Sequence, residues 1–150
     1  MTATKIADGP LLAGFEESFD RAALATHGVT HVLNVADECE VSCRVDLTYA
    51  KVGAIRDDCG DDDMSAILPD CIAFIDECMQ TKTKGRGCVI VHCLEGKSRS
   101  VCVVLAYLVR RCGVAWDDAL GRVLRARPCV DVFPLFLEQT RKWCERISEH

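Results

Sequence analysis

The residues best placed to do chemistry lie between 89 and 104, in "VIVHCLEGKSRSVCVV". An apolar run stops at His92 and Cys93. Glu95, Gly96, Lys97, Ser98, Arg99 and Ser100 follow, and a second apolar run begins at Val101. A thiol, a glycine, two cations and two hydroxyls thus fall within eight residues, at a place where the core pattern is broken.

The order of these residues suits an anion. The first N–H groups of a helix have no intrahelical acceptor and carry partial positive charge, so a loop running into a helix gathers negative ligands. Gly96 lets successive N–H groups curl into a nest. Arg99 presents a planar fork that matches two phosphate oxygens. Leu94, Glu95, Gly96, Lys97, Ser98 and Arg99 therefore form a candidate cradle for a tetrahedral dianion, with Cys93 at its base. The field that holds a phosphate also stabilises a thiolate, and a thiolate facing phosphorus is a nucleophile for covalent catalysis. Cys-x5-Arg alone is a weak signal. His-Cys-x-x-Gly-x-x-Arg-Ser at a strand-to-helix junction is a strong one. "GKS" at 96–98 also looks like the tail of a nucleotide-binding P-loop, but that motif needs a glycine where this chain has Val91.

The elements needed to hold such a loop can be read around it. "CVIVH" (88–92) is a buried strand and "SVCVVLAYLVRR" (100–111) a largely buried helix closed by basic residues and Gly113. Upstream, "KIADGPLLAGF" reads as a strand pair or kinked strand. Residues 18–27 have helical spacing, with Gly28 beyond their end. "VTHVLNVAD" and "LTYAKVGAI" read as strands and "RDDCGDDDM" (56–64) as a loop. The apolar positions from Met64 to Gln80 fit a helix, and "TKTKGRG" is a turn. "AWDDALGRVLRA" and "PLFLEQTRKWCERI" complete the helices, the last with Pro134 at its start. Alternating strands and helices predict an α/β three-layer sandwich. Its mostly parallel sheet of about five strands is flanked by helices, with the phosphate loop between the last strand and a helix. Ligands of such sheets bind beyond the carboxyl ends of the strands, where His92 and Cys93 fall.

Composition narrows the class. The chain has 150 residues, 49% of them apolar and 27% charged, which suits one globular domain over 1–150. A net charge of −5 argues against a nucleic-acid partner. The longest apolar stretch, Val101–Val109, is too short to span a bilayer, and the N-terminus has no secretory apolar core. A cytoplasmic or nuclear monomer is expected. The eleven cysteines are an odd number without Cys-x-x-Cys spacing. This argues for reduced, core-filling thiols such as Cys71, Cys78, Cys102 and Cys112 rather than a zinc site.

"VHCLEGKSRSVCVVLAYL" closely resembles the signature of the dual-specificity protein phosphatases of the cysteine-dependent superfamily. "GVTHVLNVADEC", "FIDEC" and "WDDALGRVLRARP" extend the likeness over nearly the whole chain, and the size resembles the small, atypical catalytic domains. The resemblance implies a phosphoprotein substrate, no metal or cofactor, and a two-step reaction. In it Cys93 would form a phosphocysteine, Arg99 and the loop N–H groups would hold the oxygens, and Ser100 would donate to the sulfur as the thiolate departs. His92 would position the cysteine without acting as a base. An aspartate would protonate the leaving oxygen and then activate water. Counting back from "MSAILPDCIAFID" favours Asp58 for that role, while counting forward from Tyr49 favours Asp57. Asp61, Asp62 and Asp63 read as a solvated turn, with Asp62 or Asp63 capping the next helix.

The chain departs from the family pattern in three places. Asp131, Val132 and Phe133 stand where Asn-Pro-Asn is usual, so the asparagine that braces the loop is missing. Lys97 lies in the cradle, where it either adds positive charge or pairs with Glu95. A lysine there also occurs in lipid-directed relatives, which keeps phosphoinositides or RNA 5′-phosphates open as alternatives; a phosphate-binding module without turnover is a third reading. Arg127 matches a family arginine implicated in a second anion site, and reads equally well as a solvated helix-end residue. Cys88, Cys59 or Cys129 are the expected partners for a protective disulfide with oxidised Cys93.

Overall fold

A computed structural model of the chain describes residues 3–7, 9–36, 39, 46–52, 63–79 and 87–148. Five strands, β1 (Thr4–Lys5), β2 (Leu11–Ala13), β3 (His31–Asn34), β4 (Thr48–Lys51) and β5 (Val89–His92), form one sheet in the order β1-β2-β5-β3-β4. β1 pairs antiparallel with β2, and every other pairing is parallel. Of the two readings of this segment, a strand pair or a kinked strand, the pair is found: an edge hairpin that leads into the parallel sheet. β5 is central. Ile90, Val91 and His92 pair with Leu11, Leu12 and Ala13 on one side, and His31 to Asn34 run alongside Val89 to His92 on the other.

Both faces of the sheet are covered, which is why β5 reads as a continuous apolar run. Leu12, Leu33, Val89 and Val91 point into the larger core. Leu11, Ala13, Val32 and Ile90 point the other way, towards Leu24 of α1 (Arg21–His27) and Val29. Asp20 caps α1 by accepting from the N–H groups of Ala22 and Ala23. On the larger face lie α2 (Leu68–Met79), α3 (Arg99–Arg110), α4 (Trp116–Ala126) and α5 (Pro134–Ser148). Helices on the two faces of a mostly parallel sheet make the expected three-layer sandwich.

α3 is the pivot of the fold. It packs on β5 and also touches α2, α4 and α5, so every residue from Arg99 to Leu108 is buried. A helix apolar all round is the sequence counterpart of that position. Full burial of Leu105 and Leu108 contributes about 1.5–3 kcal/mol each. Because α3 is wedged on several sides, its N-terminus is a fixed point next to the carboxyl end of β5. Phe136 of α5 is fully buried and meets Phe133 edge to face at 5.0 Å, fixing the segment that leads into that helix. Among the described residues no helix is long and apolar enough to cross a membrane.

Candidate active site

β5 ends at His92, and α3 starts at Arg99, so residues 93–98 must turn through the gap between two buried elements. Their carbonyls are held one after another from outside the turn. The carbonyl of His92 accepts from Val35 N–H at 3.0 Å, continuing the sheet. That of Cys93 meets His92 Nδ1 at 3.2 Å. Phe15 N–H donates to Leu94 O at 2.8 Å, and Asp131 N–H donates to Lys97 O at 3.0 Å. Between them, Arg127 donates from Nη2 to Glu95 O at 3.3 Å and from Nε to Gly96 O at 2.9 Å. Ser98 O accepts Cys102 N–H at 3.1 Å as the first helical bond of α3.

This arrangement fixes where the amides face. In a trans peptide the N–H is antiparallel to the preceding C=O. Each carbonyl drawn outward therefore turns the next N–H to the concave side, from Leu94 through Ser98. Gly96 has φ +70°, which supplies the curl. The result is a nest of N–H donors at the N-terminus of a buried helix.

Cys93 is 2% exposed, and its Sγ lies 3.2 Å from Ser100 Oγ. Arg99 and Ser100 are also buried, so the first turn of α3 carries polar side chains into the site. Cys93, Glu95, Lys97, Ser98 and Arg99 line one side of a cavity of about 480 Å³, which Asp131, Val132, Phe133 and Pro134 close on the other. His92 is buried beneath the loop, stacked on Phe15 with ring centroids 6.0 Å apart. Burial lowers its pKa from the ordinary 6.5 to about 4, against a smaller raising effect from the Cys93 carbonyl. The ring is therefore neutral near pH 7. A carbonyl can only accept, so Nδ1 carries its proton.

The missing asparagine is replaced by backbone. Phe133 N–H donates to Ser98 Oγ at 2.9 Å, and Asp131 N–H takes the neighbouring Lys97 carbonyl. Lys97 does pair with Glu95, at 3.4 Å and largely in solvent, where such a pair contributes little.

Arg127 is neither a solvated residue nor part of the cavity wall. It is 2% exposed and lies behind the loop, with further donations from Nη1 to Thr4 Oγ1 at 2.8 Å and Leu12 O at 3.4 Å. Glu17 faces it at 3.6 Å. The second anion site expected there gives way to a buried brace, because the end of α4 faces the loop carbonyls and not the opening. Cys88 stands at the far end of β5 from Cys93. Extended chain rises about 3.3 Å per residue, which separates the two well beyond the roughly 7 Å a disulfide can bridge. Asp63 accepts from Ser65 N–H at 3.0 Å and caps the turn before α2. Asp57, Asp58 and Cys59 lie outside the described residues.

Sequence reasoning missed Phe15 and Glu17 altogether, and it named the 131–133 stretch only as a departure. Phe15 and Asp131 hold the loop through backbone N–H groups, which leave no mark on residue type. Glu17 stands in an acidic pair with Glu16 that reads as ordinary surface.

Comparison with known proteins shows the family and agrees with the fold. Residues 12–146 match the family model "Dual specificity phosphatase, catalytic domain". The chain is 34% identical over 132 residues to Dual specificity protein phosphatase 22-B of Danio rerio, covering 88% of this chain and 68% of that protein. It is 37% identical over 128 residues to Dual specificity protein phosphatase 22 of Xenopus laevis, covering 85% of this chain but 57% of that protein. The chain thus spans between about half and two thirds of the length of these curated relatives. The crystal structure of human DUSP28 superposes with a TM-score of 0.86 at 25% identity, covering 97% of this chain and 95% of that one.

Proposed function

From the premise that this chain belongs to the dual-specificity phosphatase catalytic-domain family, we propose that it hydrolyses phosphotyrosine and phosphoserine or phosphothreonine in proteins through a phosphocysteine. The observation that carries this reading is the loop itself. Its carbonyls are held outward from Cys93 to Lys97, around a buried thiol 3.2 Å from Ser100 Oγ.

In the first step the Cys93 thiolate attacks phosphorus. The S–P bond forms as the ester P–O bond breaks, and the leaving oxygen takes a proton from Asp58, or from Asp57 as the second choice. Arg99 and the inward N–H groups neutralise the charge on the three equatorial oxygens. In the second step water attacks phosphorus and gives its proton to the same aspartate. Phosphate leaves as the S–P bond breaks, and the Ser100 hydroxyl donates to the departing thiolate. His92, neutral and tied to the Cys93 carbonyl, serves position and not proton transfer.

The phosphoinositide and RNA 5′-phosphate readings rest on Lys97, whose ammonium lies 3.4 Å from the Glu95 carboxylate. The braced loop weighs against a binding module without turnover. The test is hydrolysis of para-nitrophenyl phosphate without added metal, followed by a panel of phosphotyrosine, phosphoserine and phosphothreonine peptides beside phosphoinositides and RNA 5′-phosphates. Cys93→Ser is expected to abolish turnover while phosphate still binds; full activity in that variant refutes the mechanism. Asp58→Asn is expected to slow poor leaving groups more than good ones. That pattern in Asp57→Asn alone would reassign the acid.

A further inference from the structure

Behind the loop, a single guanidinium spans three parts of the chain. Arg127 ends α4, yet its donors reach two consecutive loop carbonyls, the hydroxyl of Thr4 in β1 and the carbonyl of Leu12 in β2. Glu17, 12% exposed, lies 3.6 Å from Nη2 and also accepts Gly14 N–H at 3.1 Å. A buried cation without its carboxylate is strongly unfavourable, so Glu17 helps keep Arg127 in this pose. Glu95 and Gly96 are the loop residues farthest from both rigid ends. Neither β5 nor α3 holds their carbonyls.

We infer that Arg127 is a positioning residue: by drawing the Glu95 and Gly96 carbonyls to the back of the loop, it aims the N–H groups of Gly96 and Lys97 at the bound phosphoryl group, and Glu17 anchors it there. The inference rests on the loop binding a phosphoryl group, as in the function proposed above, but not on turnover. It also gives a role different from that of an arginine in a second anion site, which would contact substrate directly. The chemistry of the guanidinium makes the distinction testable. A lysine keeps the charge but offers one compact ammonium, which cannot serve two carbonyls and a hydroxyl in three directions.

The experiment titrates inorganic phosphate into the whole chain and its Arg127→Lys and Glu17→Gln variants by calorimetry. Steady-state kinetics follow on para-nitrophenyl phosphate and on a doubly phosphorylated peptide. Calorimetry separates the two ways of failing. Unfolding lowers the number of sites, whereas a misaimed loop lowers the affinity of the sites that remain. In Arg127→Lys we expect phosphate affinity to fall about tenfold or more and kcat/KM to fall by a similar factor on both substrates. In Glu17→Gln we expect a smaller fall in affinity, severalfold, with the number of sites unchanged. Phosphate affinity within twofold of the parent in folded Arg127→Lys overturns the inference. So does a loss confined to the doubly phosphorylated peptide, which would mark a direct anion contact. Should Arg127→Lys not fold, Glu17→Gln decides: severalfold weaker phosphate binding supports the role, and unchanged binding overturns it. A parent chain that binds phosphate but turns nothing over would sink the proposed activity and leave this test intact.

Discussion

Gly96→Ala tests whether the shape of the loop, and not only its residue types, makes the site. Gly96 has φ +70°, and a Cβ built there would lie 2.6 Å from Ala13 C, 2.7 Å from Ala13 O and 2.7 Å from Arg127 Nη2. Ala13 cannot retreat, because it is fully buried and paired with His92 in the sheet. The loop must therefore move until the 2.6 Å contact approaches about 3.4 Å. That shift acts directly on the 2.9 Å and 3.3 Å bonds from Arg127. A left-handed conformation costs a non-glycine residue about 1–2 kcal/mol. Losing one hydrogen bond to a charged group costs about 1.5–3 kcal/mol. Together these come to about 2.5–5 kcal/mol, or between about 60-fold and a few thousandfold in phosphate affinity if the loss appears in binding. Gly113 supplies the control, since it has φ +68° and no atom within 4 Å of its Cβ position. Gly113→Ala should lose only the conformational part, lowering the melting temperature by about 2–8 °C and leaving phosphate binding unchanged. Calorimetric titration with phosphate, para-nitrophenyl phosphate kinetics and thermal melts of both variants make the comparison. Gly96→Ala binding phosphate within threefold of the parent would refute the reasoning, as would a phenotype no worse than that of Gly113→Ala.

The remaining expectations concern the neighbours of Cys93. Ser98→Ala removes the acceptor of Phe133 N–H, at about 1–3 kcal/mol, and should lower kcat/KM on para-nitrophenyl phosphate about tenfold or more. Ser98→Thr, which keeps an oxygen there, should recover most of it; equal rates for the two variants would contradict the brace. Ser100→Ala should slow breakdown of the phosphocysteine more than its formation, so rapid quenching should reveal a burst of nitrophenol followed by slow turnover. Parent-like kcat without a burst would remove Ser100 from the second step. His92 has a folded pKa of about 4 against an ordinary 6.5, so the unfolded chain binds the extra proton between those values. Its stabilising effect is complete above about 6.5 and lost as pH falls towards 4, amounting to about 2 kcal/mol between pH 7 and pH 5. His31, whose pKa is also lowered by burial, contributes with the same sign. Urea unfolding at the two pH values should show a smaller difference in His92→Asn than in the parent, and identical differences would refute the assignment.

Local sequence carried much of this protein. The apolar run of β5, the helix apolar all round and the glycine between them are all contiguous, so strand, loop and helix could be read in order. The spacing from Cys93 to Arg99 fits within one turn of chain, and it picks out the candidate nucleophile and clamp from local sequence alone. The alternation of elements gave the parallel sheet, because both faces of β5 had to be covered. The segment from Lys5 to Phe15 was less clear, since two very short strands around Gly9 and Pro10 look much like one kinked strand.

What holds the loop was decided only by tertiary structure. Arg127 looked like a surface residue at a helix end or a substrate contact, and it became a buried brace once α4 had packed on α3 and brought its end within reach of the loop, Thr4 and Leu12. Phe15 and Asp131 act through main-chain N–H groups that any non-proline residue possesses, so no residue type could announce them. The absent asparagine could be seen in the sequence, but its replacement by Phe133 N–H could not. A sequence records the chemistry of side chains and the periods of local structure. Which distant donor meets which carbonyl depends on how helices settle on a sheet, and here that packing aims the amides around Cys93.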